Sequence, residues 1–320
     1  MPFLPVGGQA VIEGVMMRSP SKVAVAVRRP DGSLAFLEKP FVSVTRRHKL
    51  LGLPVVRGAV SLFETLFLGI SALNFSADEA SRTESPKDGE AAAAGETKKS
   101  SAAQSVGQMI AIAVSLTIGI LLFVVLPARL TGWLGFNGRV GFGLVDGAFR
   151  LSAFILYLWL IRQWKEMARV LGYHGAEHKA IHAIENRVPL TPENVQRFTR
   201  LHPRCGTSFL FLVVVVSIVV FTFIGRPHSI GQHLLRVACM PLIAGVAFEF
   251  IRLSGKYADR PVAKALIWPG LQFQRLTTRE PDLSMCEVAI AALELVRGDE
   301  MVVALERAEK PARAEVAFIQ

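Results

Sequence analysis

The sequence predicts a mainly α-helical membrane protein, with about four transmembrane helices, one interfacial or re-entrant helix and a small cytoplasmic β-containing unit. Three observations lead there. Of the 320 residues, 51% are hydrophobic and 19% charged, and mean hydropathy is +0.40, whereas globular domains carry about 25% charged residues. Four segments, 106–126, 140–161, Gly206–Ile224 and 234–251, are apolar enough to cross a hydrocarbon core of about 30 Å, which takes roughly 20 helical residues. The segments around them hold, in order, 8, 2, 8, 1 and 10 lysines and arginines (1–49, 127–139, 162–205, 225–233, 252–320). Basic loops stay inside, so both termini and the 162–205 loop are expected in the cytoplasm.

Residues 1–49 read as a cytoplasmic β-rich unit. Within it, 23–29 and 34–37 are β-prone runs around Pro30, Asp31, Gly32 and Ser33, residue types that suit a tight turn, and 41–45 could add a strand. Gly7, Gly8 and Gly14 permit close backbone approach. Glu13 offers a carboxylate to a metal, to Arg18 or to Arg204, a tight turn with an ion-paired Glu13 being the simpler reading.

Residues 50–76 are also apolar, but a fifth crossing would put the basic N-terminal segment outside, so they are expected not to cross. Arg57, Ser61, Glu64 and Thr65 form one stripe at helical spacing, as in an interfacial or re-entrant helix. A helix packed on the bundle with Arg57 and Glu64 paired inward is the alternative. Residues 77–105 are rich in Ala, Ser, Glu and Lys without apolar periodicity and read as a disordered linker.

Residues 106–161 and 206–251 supply two transmembrane pairs. Arg150, Arg236 and Glu249 fall toward span ends, where snorkelling accounts for the arginines and Arg252 is the expected partner of Glu249. In the C-terminal region, 252–320, a break is expected at Trp268, Pro269 and Gly270, an amphipathic helix over 284–295, and a solvated tail from about 306.

The net charge of +10 is dispersed and lacks aromatic interleaving, so it points to anionic lipid headgroups and not to nucleic acid. Three widely spaced cysteines indicate no disulfide framework. The N-terminus lacks the pattern of a cleaved signal peptide, so targeting would rely on internal segments.

Chemistry concentrates in 162–205. Residues 173–185 suit a helix that lines up His174, His178 and His182 on one face. Thr191 and Pro192 start a second, short helix over 192–201 that returns His202 and Cys205 toward the first. His174, Glu177 and His178 have the order of the inverted zincin motif, in which two histidines bind zinc and the Glu activates water.

The expected metal ligands are His174, His178, His202 and Cys205, for a divalent transition metal with zinc first, and the expected general base is Glu177. Three arrangements fit: an open catalytic site using His202 or Cys205 as third ligand, a closed structural site using all four, or no metal at all. In the last, the histidines meet phosphates or cap helices, or Cys205 acts as a nucleophile with Arg204 and a nearby His. His182 and Glu185 read as supporting or solvated residues.

The chain resembles the YqhQ-like bacterial membrane proteins, a family of unknown function labelled predicted metal-dependent enzymes. The resemblance rests on four stretches: Gly7 to Arg18, Tyr173 to Lys179, His202 to Ser208, and Pro269 to Leu271 with Gln274 to Pro281. It implies a bacterial inner-membrane location and a site drawing on both ends of the chain. In the last stretch, Arg275 and Arg279 could grip a phosphate-bearing ligand.

Two functions follow as expectations. One is a metal-dependent hydrolase acting on a lipid or membrane peptide. The other is a non-enzymatic scaffold or assembly factor with a structural metal, docking a protein partner at the cytoplasmic face. Transport fits less well, because no inverted repeat is visible.

Overall fold

Strands β1 (Gly7–Val11), β2 (Gly14–Arg18), β3 (Lys22–Arg28) and β4 (Leu34–Pro40) pair in sequence order as an antiparallel sheet. Val11 faces Gly14 across a two-residue turn that puts Glu13 at φ 50°. The turn at Pro30–Ser33 is closed by the Asp31 carboxylate, which accepts from Ser33 N, and by Gly32 at φ +84°. The computed structural model describes residues 6–82, 102–136, 138–203, 205–256 and 260–298; Arg204, the middle of the expected linker and the tail lie outside them.

The expected strand at 41–45 is instead the start of helix α1 (Val44–Arg47). Ser43 caps it, and the Glu64 carboxylate accepts from the Ser43 hydroxyl and, at 2.6 Å, from Val44 N. Capping chemistry outweighs the β propensity of Val42 and Val44.

Helix α2 (Val56–Ala80) follows a 3₁₀ turn at Lys49–Gly52, and α3 (Ala102–Ile120) passes through a π segment, Leu121–Val125, into α4 (Leu126–Trp133). Pro127 at the start of α4 cannot donate into the preceding turn, which accounts for the widened helix there. Then come α5 (Arg139–Ile161), α6 (Lys165–Glu185), α7 (Pro192–Gln196), α8 (Gly206–Ile224), α9 (Ile230–Ala238), α10 (Met240–Lys256), α11 (Pro261–Thr277) and α12 (Leu283–Val296). The short helix expected over 192–201 thus ends early.

Five helical stretches among the described residues are long and apolar enough to cross a membrane: Val56–Ala80, Met109–Trp133, Arg139–Ile161, Gly206–Ile224 and Ile230–Leu253. The segment expected to be interfacial is one of them. Its partners are two. Near its start Gly58 lies where a Cβ would stand 2.9 Å from Gly245 Cα of α10, and Arg57 binds Glu249 through Nε at 2.7 Å. Further on, Leu68, Ala72 and Phe75 cover Val11, Met16, Val23 and Val25 on one face of the sheet, and Glu79 pairs with Arg29. Glu249 therefore pairs with Arg57, where Arg252 was expected, and Glu64 is spent on the α1 cap.

The sheet's other face, with Val15, Met17, Ala24 and Ala26, packs on α6 and α12. Being covered on both faces, β2 and β3 read as continuous apolar runs without alternation. The N-terminal sheet, α6 and the C-terminal helix share one core.

Two expectations fail in the bundle. Pro269 does not break the chain: α11 runs through it, and Gly270 lets α8 approach until Ser208 Oγ would stand 3.0 Å from an added Cβ. Close packing of a neighbouring helix lets a helix continue across the N–H that proline lacks. Nor do Arg150 and Arg236 snorkel. They are 4% and 0% exposed, both contact Asp146 Oδ2, at 2.9 and 3.3 Å, and both guanidinium groups lie over the Phe221 ring. Arg150 also donates to Ser217 Oγ and Arg236 to Gly225 O.

Candidate metal centre

Helix α6 leaves the end of α5 with little apolar character, yet every residue from Gly172 to Glu185 except His174 is buried. A polar helix buried all round must satisfy its side chains internally or with a ligand. Its position is set by the C-terminal motif. Gly175 lies against the backbone of residue 279, where a Cβ would stand 2.1 Å from Arg279 O, and Arg279 N donates to Leu171 O at 2.8 Å. Lys179 binds Glu280 and donates to Gln196 O at 2.7 Å.

His174, His178 and His182 do line one face, with neighbouring rings of His174 and His178 4.4 Å apart. His174 Nδ1 donates to Thr277 O at 2.7 Å and His178 Nδ1 to Arg200 O at 2.6 Å. These carbonyls fix the tautomers so that both Nε2 atoms carry lone pairs, the arrangement that orients histidine ligands in metal sites. Cys205 Sγ completes the group, 3.2 Å from His174 Nε2, and the three candidate ligand atoms lie within 4.8 Å of one another. His178 Nε2 is buried with no hydrogen-bond partner among the described residues.

Cys205 is the N-cap of α8, its sulfur accepting from Thr207 N at 3.3 Å. Burial opposes its ionisation, but His178 and His174 beside it bring the thiol well below its ordinary value. Correspondingly, burial opposes protonation of His174, while the Cys205 thiolate outweighs it and raises the imidazole to about 9. A cation held by both groups would have to displace the proton that this pair shares, because a ligating imidazole must be neutral.

Glu177 stands beside this trio, 3.7 Å from His178 Nε2 and 3.9 Å from His174 Nε2. Burial raises its carboxyl above the usual range, against the pull of both imidazoles. Gly8 N–H bonds to it, and an added Cβ at Gly8 would stand 2.7 Å from Glu177 Cγ, which explains how an N-terminal glycine motif belongs to the site. The Gly8→Ala protein should therefore lose about 1–3 kcal/mol of stability as the carboxylate is pushed aside, measurable by thermal unfolding in detergent. Unchanged stability would mean that Glu177 has room to retreat.

His202 departs from the expected set. It joins His182 and Glu185 in a second group, again with candidate ligand atoms within 4.8 Å, and its Nε2 is 3.4 Å from Glu185 Oε2. Burial, with His178 nearby, drives its imidazole down to about 3, so it stands neutral. Gln274, fully buried, takes His202 N at 2.8 Å and donates to His202 O, holding the loop to α11.

His182 and Glu185 were read from sequence as supporting residues. Helical spacing from His174 was the signal that could have promoted them, but their contacts are with Phe198, Leu201 and His202 of the returning segment, which spacing does not reveal. Glu13 sits in the turn between β1 and β2, pairs with Arg169 at 2.5 Å and accepts from Tyr173, while Arg18 lies over Phe41. Arg279 Nη2 donates to Arg162 O at 2.8 Å.

Residues 53–299 match the family model described as protein of unknown function, DUF1385. The chain belongs to the DUF1385 family. It is 33% identical over 295 residues to "Uncharacterized protein YqhQ" of Bacillus subtilis (strain 168), covering 91% of this chain and 92% of that protein. No solved structure matches. The family model begins after the sheet.

Proposed function

We propose that this protein is a metal-dependent hydrolase at the cytoplasmic face of a bacterial inner membrane, acting on a lipid or a membrane peptide. The observation that carries the reading is the buried Glu177 carboxylate beside His174, His178 and Cys205, two imidazoles and a thiol whose candidate ligand atoms lie close enough to share a cation. The donor set fits zinc, which favours nitrogen and sulfur and, with three protein ligands, keeps a position for water. Bound there, zinc would supply Lewis acidity that brings water ionisation toward neutral pH. His174 and His178 present Nε2, Thr277 and Arg200 hold their rings, and Glu177 accepts the proton.

The site's place supports a membrane-face substrate. It lies where α5 ends and α8 begins, at one end of two apolar helices, whereas the Asp146 cluster lies toward the other. The basic loops put the site end inside. Helix α2 starts against the later half of α10 and ends under the sheet, so its second half stays on the site side, and Phe63, Leu66 and Phe67, all exposed, suit immersion in the lipid boundary. Four helices then cross.

Replacing Glu177 by Gln should leave bound zinc in place and slow hydrolysis by about 10²–10⁴-fold, the usual worth of a general base. Zinc content and turnover of lipid and peptide substrate panels, measured on the same preparations, check this. Loss of metal on that change contradicts the base assignment. A second reading, a scaffold or assembly factor with a structural metal, draws on the burial of His178 and Cys205. It requires that Glu177→Gln be tolerated in cells while loss of His178 is not.

A further inference from the structure

We infer that the His182, Glu185 and His202 group is a second metal site, making the centre dinuclear; the inference rests on the metal reading of the first group. All three residues are at most 8% exposed, and their candidate ligand atoms lie within 4.8 Å of one another. The second group continues the first along one helix face. His182 and His202 rings are 4.6 Å apart, and His202 is in turn 5.7 Å from His178.

Orientation is again set by backbone. His182 Nε2 donates to Leu201 O at 2.9 Å, and Gln274 clamps the backbone of His202 on both sides. The Glu185 carboxylate, 5% exposed, lies 3.4 Å from His202 Nε2 and would supply the site's negative charge. The ligands differ in kind from the first set. Two imidazoles and a carboxylate, with no sulfur, form a harder site that suits zinc, manganese or ferrous iron, whereas the Cys205 group favours zinc. Two adjacent cations suit a hydrolysis in which attacking and leaving oxygens are both stabilised, which favours ester or phosphoester bonds of lipids among the substrates named above.

The test is metal stoichiometry of the purified full chain in detergent, dialysed against zinc alone and washed, with folding followed by circular dichroism and gel filtration. Wild type should retain two equivalents. His182→Gln, whose amide nitrogen can keep the bond to Leu201 O, and Glu185→Gln should each retain one, as should His178→Asn from the other side. A single wild-type equivalent that His178→Asn removes and both other variants keep would overturn the second site and leave the first standing. No zinc in any preparation would overturn both.

Discussion

Changing His178 to Asn is expected to cost the protein one bound metal ion per chain while leaving its fold intact. Asn can place an amide N–H where His178 Nδ1 now donates to Arg200 O at 2.6 Å, but it has nothing at the position of Nε2. That atom is the buried one with no hydrogen-bond partner among the described residues, so its loss removes a ligand without breaking an existing bond. Metal analysis beside thermal unfolding reads both effects. If metal content is unchanged, His178 is not a ligand, and its buried Nε2 needs another explanation.

Asp146→Ala should destabilise the helical bundle by about 3–5 kcal/mol, the usual consequence of removing one partner from a buried ion pair. Asp146 Oδ2 is shared by Arg150 and Arg236, whose guanidinium groups, both over the Phe221 ring, would be left as neighbouring buried like charges. Ser217 and Gly225 O would still accept from them, but neither carries charge. Unfolding in detergent measures the loss. The cluster is compact and internally paired, as a structural clamp requires, and it does not extend as a chain of charges from one end of the spans to the other among the described residues. A change below about 1 kcal/mol would show that the arginines relax to solvent or lipid headgroups.

Long apolar runs and helical spacing carried most of the architecture. The span Gly206–Ile224 coincides with its helix, and His174, His178 and His182 share a face because the period of 3.6 dictates it. Tertiary packing decided what spacing could not. Nothing local signals that Gln274 clamps His202, that Thr277 O fixes His174, or that His202 joins Glu185 instead of Cys205. The same holds for Arg150 and Arg236, whose place near span ends suggested snorkelling until Asp146 and Phe221 were seen between them. Glycine patterns were legible as close approaches but not as to their partners: Gly8 meets a carboxylate, Gly175 a carbonyl.

Central to the account is a metal bound through Cys205 with His174 and His178. X-ray absorption at the zinc edge of the purified, zinc-loaded protein tests this most directly. It should reveal a sulfur neighbour at about 2.3 Å together with nitrogen at about 2.0–2.1 Å, the distances of thiolate and imidazole ligation, with the sulfur absent in Cys205→Ser. A shell of nitrogen and oxygen alone in the wild type, or no zinc retained at all, would contradict it.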